Sequence, residues 1–327
     1  MTQLPNLFIV GAPKSGTTSL YEWLKDHPQV FMSPVKEPNY FARDLWSSDH
    51  NTLRYEVDVE RYRELFADAR DALRLGEASV RYLYSKDAPA LIRADQPEAH
   101  IVVALRNPVE MAHSLHSHQV AGGSEDLADF EQAIAAEDDR RAGRRIPANA
   151  NPRLCTYRDR ALYGEQLPRW IDAFGRERVH VIVFEELTRE PAAHFRRLLE
   201  FLDIDPEYQP EAFRAHNVAH GTRSRVMRRM LDSRLPQWLV WKALPRVIGD
   251  LRTRALVQRF RHSRFHRRPA ERAPISPRLR RRLELEFAPD VAQLSQILDR
   301  DMGQFWFGMP AGTAGAADVA RDTITAS

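Results

Sequence analysis

Residues Phe8–Leu20 read FIVGAPKSGTTSL: an apolar run, a turn rich in glycine and hydroxyls, then the start of a helix. Such a junction cradles phosphate. The first backbone N–H groups of a helix lack intrahelical partners, and the macrodipole favours an anion beside them. Gly11 and Gly16 allow a tight turn and close backbone approach. They keep the spacing of the nucleotide-binding loop G-x-x-x-x-G-K-[ST], but Thr17 stands where that pattern has lysine, and Lys14 lies inside the loop. An ATP-splitting site must neutralise several charges on the transferred phosphoryl group and recruits Mg²⁺ through a loop Ser/Thr. A sulfuryl group carries less charge, so one ammonium beside a leaving phosphate can suffice without metal. The plain alternative is a strand–turn–helix joint with an incidental lysine.

Outside this loop, short apolar runs alternate with amphipathic stretches. The pattern predicts strands over Leu4–Val10, Leu73–Glu77, His100–Leu105 and Val179–Phe184, with a further short apolar run at Val30–Met32. It predicts helices over Thr17–Asp26, Val59–Ala67, Ala88–Ala94, Leu127–Arg141, Leu162–Phe174 and Pro191–Leu202. HIVVAL (His100–Leu105) is the clearest strand; after it Asn107 can cap a helix and Pro108 suits its first turn. Alternating strands and helices imply an α/β, P-loop-containing three-layer fold: a central, mostly parallel sheet covered on both faces. Binding sites in such sheets lie at the C-terminal strand ends, where the Gly11–Thr18 loop and Arg106 both fall. Beyond Glu207 the pattern changes to basic amphipathic helices, over Ser224–Ser233, Gln237–Ala243, Leu251–Phe260 and Pro277–Phe287. The expected organisation is a core over 1–206, a helical C-terminal portion over 207–310 packing on it as support or lid, and a disordered small-residue tail over 311–327.

The chain has 327 residues, 43% hydrophobic and 28% charged, with no apolar run long enough to span a bilayer. Its start, MTQLPNLFIVG, lacks a basic n-region and a cleavage site, which argues against a signal peptide. A single cysteine, Cys155, excludes an intrachain disulfide and a Cys-rich zinc site. The cytoplasm is the simplest compartment. Net charge is only +3, yet arginines crowd Arg223–Arg282 while Glu125–Asp139 is acidic. An arginine-rich stretch suits nucleic acid, anionic lipid or an anionic substrate, or simply forms solvated helix faces. With no RNA-binding signature and no zinc-finger spacing, nucleic acid is not expected.

Four segments together, PKSGTT (Pro13–Thr18), SPVKEPNYF (Ser33–Phe41), EASVRY (Glu77–Tyr82) and LRNPVEMAHS (Leu105–Ser114), resemble the 3′-phosphoadenosine 5′-phosphosulfate (PAPS)-dependent sulfotransferases. The likeness is to the bacterial enzymes and the heparan-sulfate-type domains, from about Leu7 to Arg223. It implies that Lys14 stabilises charge growing on the bridging oxygen as the S–O bond breaks, while Ser15, Gly16, Thr17 and Thr18 hold the 5′-phosphate. It implies that Arg106 and Ser114 grip the 3′-phosphate, arginine through its bidentate fork. Arg223, in HNVAHGTRSR, falls about where relatives close a basic loop over that phosphate; it also fits an exposed helix start.

Glu37 corresponds to the general base of the glycosaminoglycan-type enzymes, a role that requires a partly buried, tuned carboxylate. Preceding Pro38, it is kept out of any helix; as a bland alternative it is loop surface paired with Lys36. EASVRY lacks the lysine and proline that the glycosaminoglycan enzymes carry there, so their acceptor preference does not transfer directly. Lys36, Arg81, His113 and Trp238 are candidate acceptor contacts. His113, His116 and His118 lack H-E-x-x-H spacing and read more simply as surface or satisfied helix histidines. Trp238 and Trp241, in LPQWLVWKALP, fit core packing, an acceptor lid or a shallow membrane contact.

The activity implied is in-line, metal-independent transfer of a sulfuryl group from PAPS to a hydroxyl, less readily an amine, of a small molecule or carbohydrate, leaving 3′-phosphoadenosine 5′-phosphate (PAP). One rival is a P-loop kinase or nucleotidase, which would need lysine at position 17 and an acidic Mg²⁺ ligand ending a strand. The other is a non-catalytic protein on the same fold that binds a membrane or polyanion through its basic helices. Acceptor identity and oligomeric state are not legible.

Overall fold

The computed structural model describes residues 4–46, 59–213, 220–222, 267–269 and 273–309. Its centre is a five-stranded sheet in the order β2-β3-β1-β4-β5. The strands are β1 (Leu7–Ile9), β2 (Val30–Met32), β3 (Arg74–Ala78), β4 (His100–Leu105) and β5 (Val179–Val183). Every neighbouring pair is parallel. A second sheet pairs two short antiparallel strands, β6 (His220–Thr222) and β7 (Arg267–Pro269).

Parallel strands need helical crossovers, and those helices bury both faces, which is why the strands are near-continuously apolar. The helices are α1 (Thr17–Lys25), α2 (Val59–Glu64), α3 (Arg81–Tyr84), α4 (Ala88–Asp95), α5 (Pro108–Gly122), α6 (Phe130–Ala135), α7 (Glu137–Arg141), α8 (Tyr163–Phe174), α9 (Phe184–Arg189), α10 (Pro191–Phe201), α11 (Pro277–Leu298) and α12 (Met302–Phe307). Alternate residues of β1 face opposite layers, as the strand period of two requires. Leu7 and Ile9 pack with Leu20, Trp23 and Leu24 of α1 and Phe195, Leu198 and Leu199 of α10. Phe8 and Val10 belong to the larger opposite core with Leu167 and Trp170 of α8 and Leu283 and Phe287 of α11.

The connection from β1 runs out to edge strand β2, whereas that from β4 runs the other way to β5. The chain therefore reverses its winding between β1 and β4, the position at which a parallel sheet opens a crevice beyond its C-terminal edge. The two strands approach closely there. A Cβ on Gly11 would lie 2.5 Å from the Ala104 nitrogen and oxygen, so only glycine fits.

Two helices differ most from expectation. The acidic 127–141 stretch is not one helix: Asp129 caps α6 by accepting from the Gln132 amide at 2.9 Å, and the chain turns at Ala136 before α7. The helix expected to stop at Phe287 instead continues as α11 through Pro289 to Leu298. Continuation is favoured because Leu283, Phe287, Val291 and Leu294 form one buried stripe at helical spacing. The Asp290 carboxylate, just past the proline, accepts from the Gly164 and Glu165 amides at 2.9 and 3.0 Å, capping the start of α8. The helices expected over 224–233, 237–243 and 251–260, and the tail over 311–327, lie outside the described residues.

Candidate active site

Lys14 and Gly16 both adopt left-handed backbone, with φ of 64° and 86°. Gly16 accommodates this without strain; Lys14 does so at a cost that non-glycine residues bear mainly at functional turns. The loop curls back, and α1 begins with no side-chain cap on its N-terminus. Its first amides and its dipole thus converge on the loop interior, a setting suited to an anion. Ser15 is fully buried and its Oγ donates to the Pro13 carbonyl at 3.4 Å, bracing the loop from within. Thr17 is buried, while Lys14, Gly16 and Thr18 are half-buried along the inner wall.

Arg106 leaves the end of β4 and lies against this loop. Its Nη1 donates to the Lys14 carbonyl at 3.2 Å, and its guanidinium stacks over the Phe184 ring, 4.7 Å from the centroid. The same ring touches Gly16, where a Cβ would sit 3.1 Å from the ring edge. The Arg106 Nε is buried without a hydrogen-bond partner among the described residues. The turn behind it is clamped. Asn107 Oδ1 caps α5 by accepting from the Val109 and Glu110 amides; its own amide donates to Glu185 Oε1 at 3.0 Å; and its Nδ2 donates to the Trp306 carbonyl at 2.9 Å. Trp306 Nε1 completes the ring by donating to Glu185 Oε2 at 3.2 Å. Helices α9 and α12 thereby fix the direction in which Arg106 leaves the strand. Ser114, further along α5, is 1% exposed and its Oγ has no hydrogen-bond partner among the described residues.

The loop after β2 supplies the third wall. The Glu37 amide donates to the Ala78 carbonyl at 2.9 Å, extending the β2–β3 pairing by one bond. Glu37 and Asn39 both have positive φ, 61° and 55°. Asn39 secures the kink, its Nδ2 donating to the Glu37 carbonyl at 2.7 Å and its amide donating to Ser79 Oγ at 3.1 Å. Beneath lies Glu77, fully buried, accepting from Tyr62 Oη at 2.5 Å, Ser79 Oγ at 2.8 Å and Tyr82 Oη at 2.9 Å. Burial pushes the Glu77 carboxyl up to about 7, against the pull of those three hydroxyls.

Glu37 itself keeps 37% of its side chain exposed and Lys36 keeps 13%; the Lys36 Nζ donates to Glu37 Oε1 at 2.9 Å. Burial works against ionisation, but Lys36, then Arg81 and His118, overcome it and hold the carboxylate near about 2. His118 is exposed, whereas His113 is buried against the Phe130 ring and His116 Nε2 bonds the Leu127 carbonyl at 2.8 Å. Arg223 and Trp238 lie outside the described residues.

The structure thus gathers Lys14, Gly16, Thr17 and Thr18 with Arg106 at one strand end, and Lys36, Glu37 and Arg81 at the ends of β2 and β3. No hydrogen bond joins Ser114 to Arg106 among the described residues. Sequence reasoning missed Phe184, Glu185, Trp306 and Arg160. An aromatic directly after an apolar strand is the local signal for Phe184; the others act through contacts far apart in the chain. Among the described residues no cluster of three or more His, Cys, Asp or Glu side chains is arranged to hold a metal ion. Among those residues no helix is long and apolar enough to cross a membrane.

A family profile described as "Sulfotransferase family" matches residues 5–210. Mouse carbohydrate sulfotransferase 15 is 26% identical over 301 residues, covering 77% of this chain and 52% of that protein. Mouse bifunctional heparan sulfate N-deacetylase/N-sulfotransferase 4 is 28% identical over 215 residues, covering 63% of this chain and 23% of that protein. The chain thus spans about half the length of the first and under a quarter of the second. A solved sulfotransferase from Alicyclobacillus acidocaldarius superposes with a TM-score of 0.68 at 29% identity, covering 93% of this chain and 99% of that one.

Proposed function

This chain belongs to the sulfotransferase family, and on that premise we propose that it transfers a sulfuryl group from PAPS to a hydroxyl, or less readily an amine, of a carbohydrate or small-molecule acceptor. The observation that carries this reading is the meeting of the Gly11–Thr18 loop with Arg106 at the point where the sheet reverses its winding. The site fits the donor. A helix N-terminus without a side-chain cap suits a 5′-phosphate, and the buried Arg106 Nε and Ser114 Oγ, unpartnered among the described residues, are donors that suit a 3′-phosphate.

PAPS supplies the sulfuryl group, which passes in line to the acceptor atom. Lys14, a compact cation, stabilises the oxygen on which charge accumulates at the departing bisphosphate. The amides of residues 15–18 hold and orient the 5′-phosphate, and Arg106 and Ser114 hold the 3′-phosphate. Glu37, at the mouth of the crevice, takes the acceptor proton. Fixed position and preorganised charge supply most of the rate.

A kinase reading finds no support in the same residues. Position 17 is threonine, β4 ends in Arg106, and Glu77 near the end of β3 is engaged by three hydroxyls rather than facing the loop. The test is release of PAP from PAPS with a panel of hydroxylated and amino sugars and phenols, without added metal. Turnover that vanishes in Lys14→Ala, with the fold kept by circular dichroism, supports the reading. Turnover unchanged by that substitution contradicts it.

A further inference from the structure

Arg140, Arg158 and Arg160 lie within one stretch between β4 and β5, and the first two each hold a buried carboxylate. Arg140, 2% exposed, donates from Nη1 and Nη2 to Glu125 at 2.7 and 2.8 Å and to the Cys155 carbonyl at 3.1 Å. Arg158 donates to Glu137 at 2.5 Å. That is how a buried guanidinium ordinarily offsets its desolvation. Arg160 does not do so. It is 5% exposed, its Nε has no hydrogen-bond partner, and its guanidinium makes no hydrogen bond or ion pair among the described residues.

Its nearest charges make this more costly. Arg160 lies in the short turn Asp159–Ala161, packed on α5, and faces Arg81, Glu37, Tyr84 and Tyr157. Arg81 opens α3 directly beyond β3, half-buried, and its own opposite charge is Glu37, which Lys36 already holds. Two guanidinium groups thus adjoin one carboxylate that a lysine has claimed. Burial, and then Arg81, push the Arg160 guanidinium down to about 10. An arrangement of this kind is stabilised by one further negative charge.

We propose that Arg160 and Arg81 form a subsite for an anionic group of the acceptor, a carboxylate or a sulfate ester, beside Glu37. This rests on the sulfotransferase reading and names the acceptor class within it. The subsite couples binding to chemistry. The groups facing Glu37 are Lys36 from its own loop, Arg81 from α3, His118 from α5 and Arg160 from the turn before α8. A carboxylate held so low is a poor general base. An acceptor anion that engages Arg81 and Arg160 draws positive charge away from Glu37 and restores its basicity only when the acceptor is seated.

The experiment titrates PAP-saturated protein with inorganic sulfate by calorimetry, at constant ionic strength. Wild type is expected to bind one equivalent. Affinity should fall roughly tenfold or more in Arg160→Gln, with partial recovery in Arg160→Lys and PAP affinity unchanged. Arg81→Gln, at the more open position, should give the same loss and guards against misfolding at the buried site. No sulfate binding to the PAP complex, or binding untouched by both glutamine variants, overturns the proposal. So does binding that Lys14→Met abolishes and Arg160→Gln leaves intact, since the anion then sits in the donor loop. Loss of PAP binding in Arg160→Gln and Arg81→Gln would assign the arginines to the donor instead. Failure of PAP to bind wild type at all contradicts the sulfotransferase reading itself, a separate outcome.

Discussion

Arg106 Nη1 donates a hydrogen bond to the Lys14 carbonyl oxygen, 3.2 Å away across the β1–β4 crevice. The two residues are 92 positions apart, yet the side chain proposed for one phosphate of the donor holds the backbone of the loop proposed for the other. Phe184 strengthens the joint, with Arg106 above its ring and Gly16 at its edge.

Replacing Arg106 therefore disturbs both halves of the donor site. Arg106→Ala should weaken PAP binding by roughly tenfold to a hundredfold, the range of charge-assisted hydrogen bonds. Arg106→Lys should not restore it, because an ammonium cannot both reach the Lys14 carbonyl and present a second donor. Calorimetric titration of the two variants measures this.

The Asn107–Glu185–Trp306 ring makes a different claim. Glu185→Gln preserves shape but removes one of the two acceptors, on Asn107 N or Trp306 Nε1. Thermal stability should fall by only about 1–2 kcal/mol, while PAP affinity drops several-fold because Arg106 loses its fixed exit from β4. Equal PAP affinity in the variant would assign the ring to folding alone.

Glu77 gives a pH signature. Its carboxyl is raised by burial from the ordinary 4.5 to about 7, so the folded state keeps a proton that the unfolded state releases. Stability from this group is complete below pH 4.5 and is lost as pH rises toward 7, by an amount on the order of a few kcal/mol. Melting between pH 5 and pH 8 should show the decline in wild type and a flatter profile in Glu77→Gln.

Glu37 carries the opposite sign. Lys36, then Arg81 and His118, outweigh burial and lower its carboxyl from the ordinary 4.5 to about 2. Its contribution is present above 4.5 and lost as pH falls toward 2. With the side chain 37% exposed, solvent screens much of the stability effect, so the activity profile is the better readout. Lys36→Met should move the acidic limb of kcat/KM upward toward the ordinary carboxylate range; an unmoved limb contradicts the pairing.

Much of this architecture was legible in the sequence. FIVGAPKSGTTSL gave the strand, loop and helix because glycine spacing and apolar runs act locally, and Asn107-Pro108 marked the start of α5 correctly. The break at Ala136 was hidden because the apolar spacing of α6 runs on without a glycine or proline to interrupt it. Helix α11 runs past the expected Phe287 because the buried stripe on either side of Pro289 holds the helix together. Lys14, Glu37 and Arg106 could be singled out from their motifs. Arg160 could not: its lack of a partner is a property of what surrounds it, and one arginine among neighbours that pair well has no distinguishing local pattern.

The most direct measurement is calorimetric titration of the wild-type protein with PAP, magnesium withheld, against ADP as control. The account predicts tight, metal-independent binding of PAP in preference to ADP. Absence of PAP binding, or preference for ADP that requires magnesium, would contradict it and return the nucleotide-kinase reading.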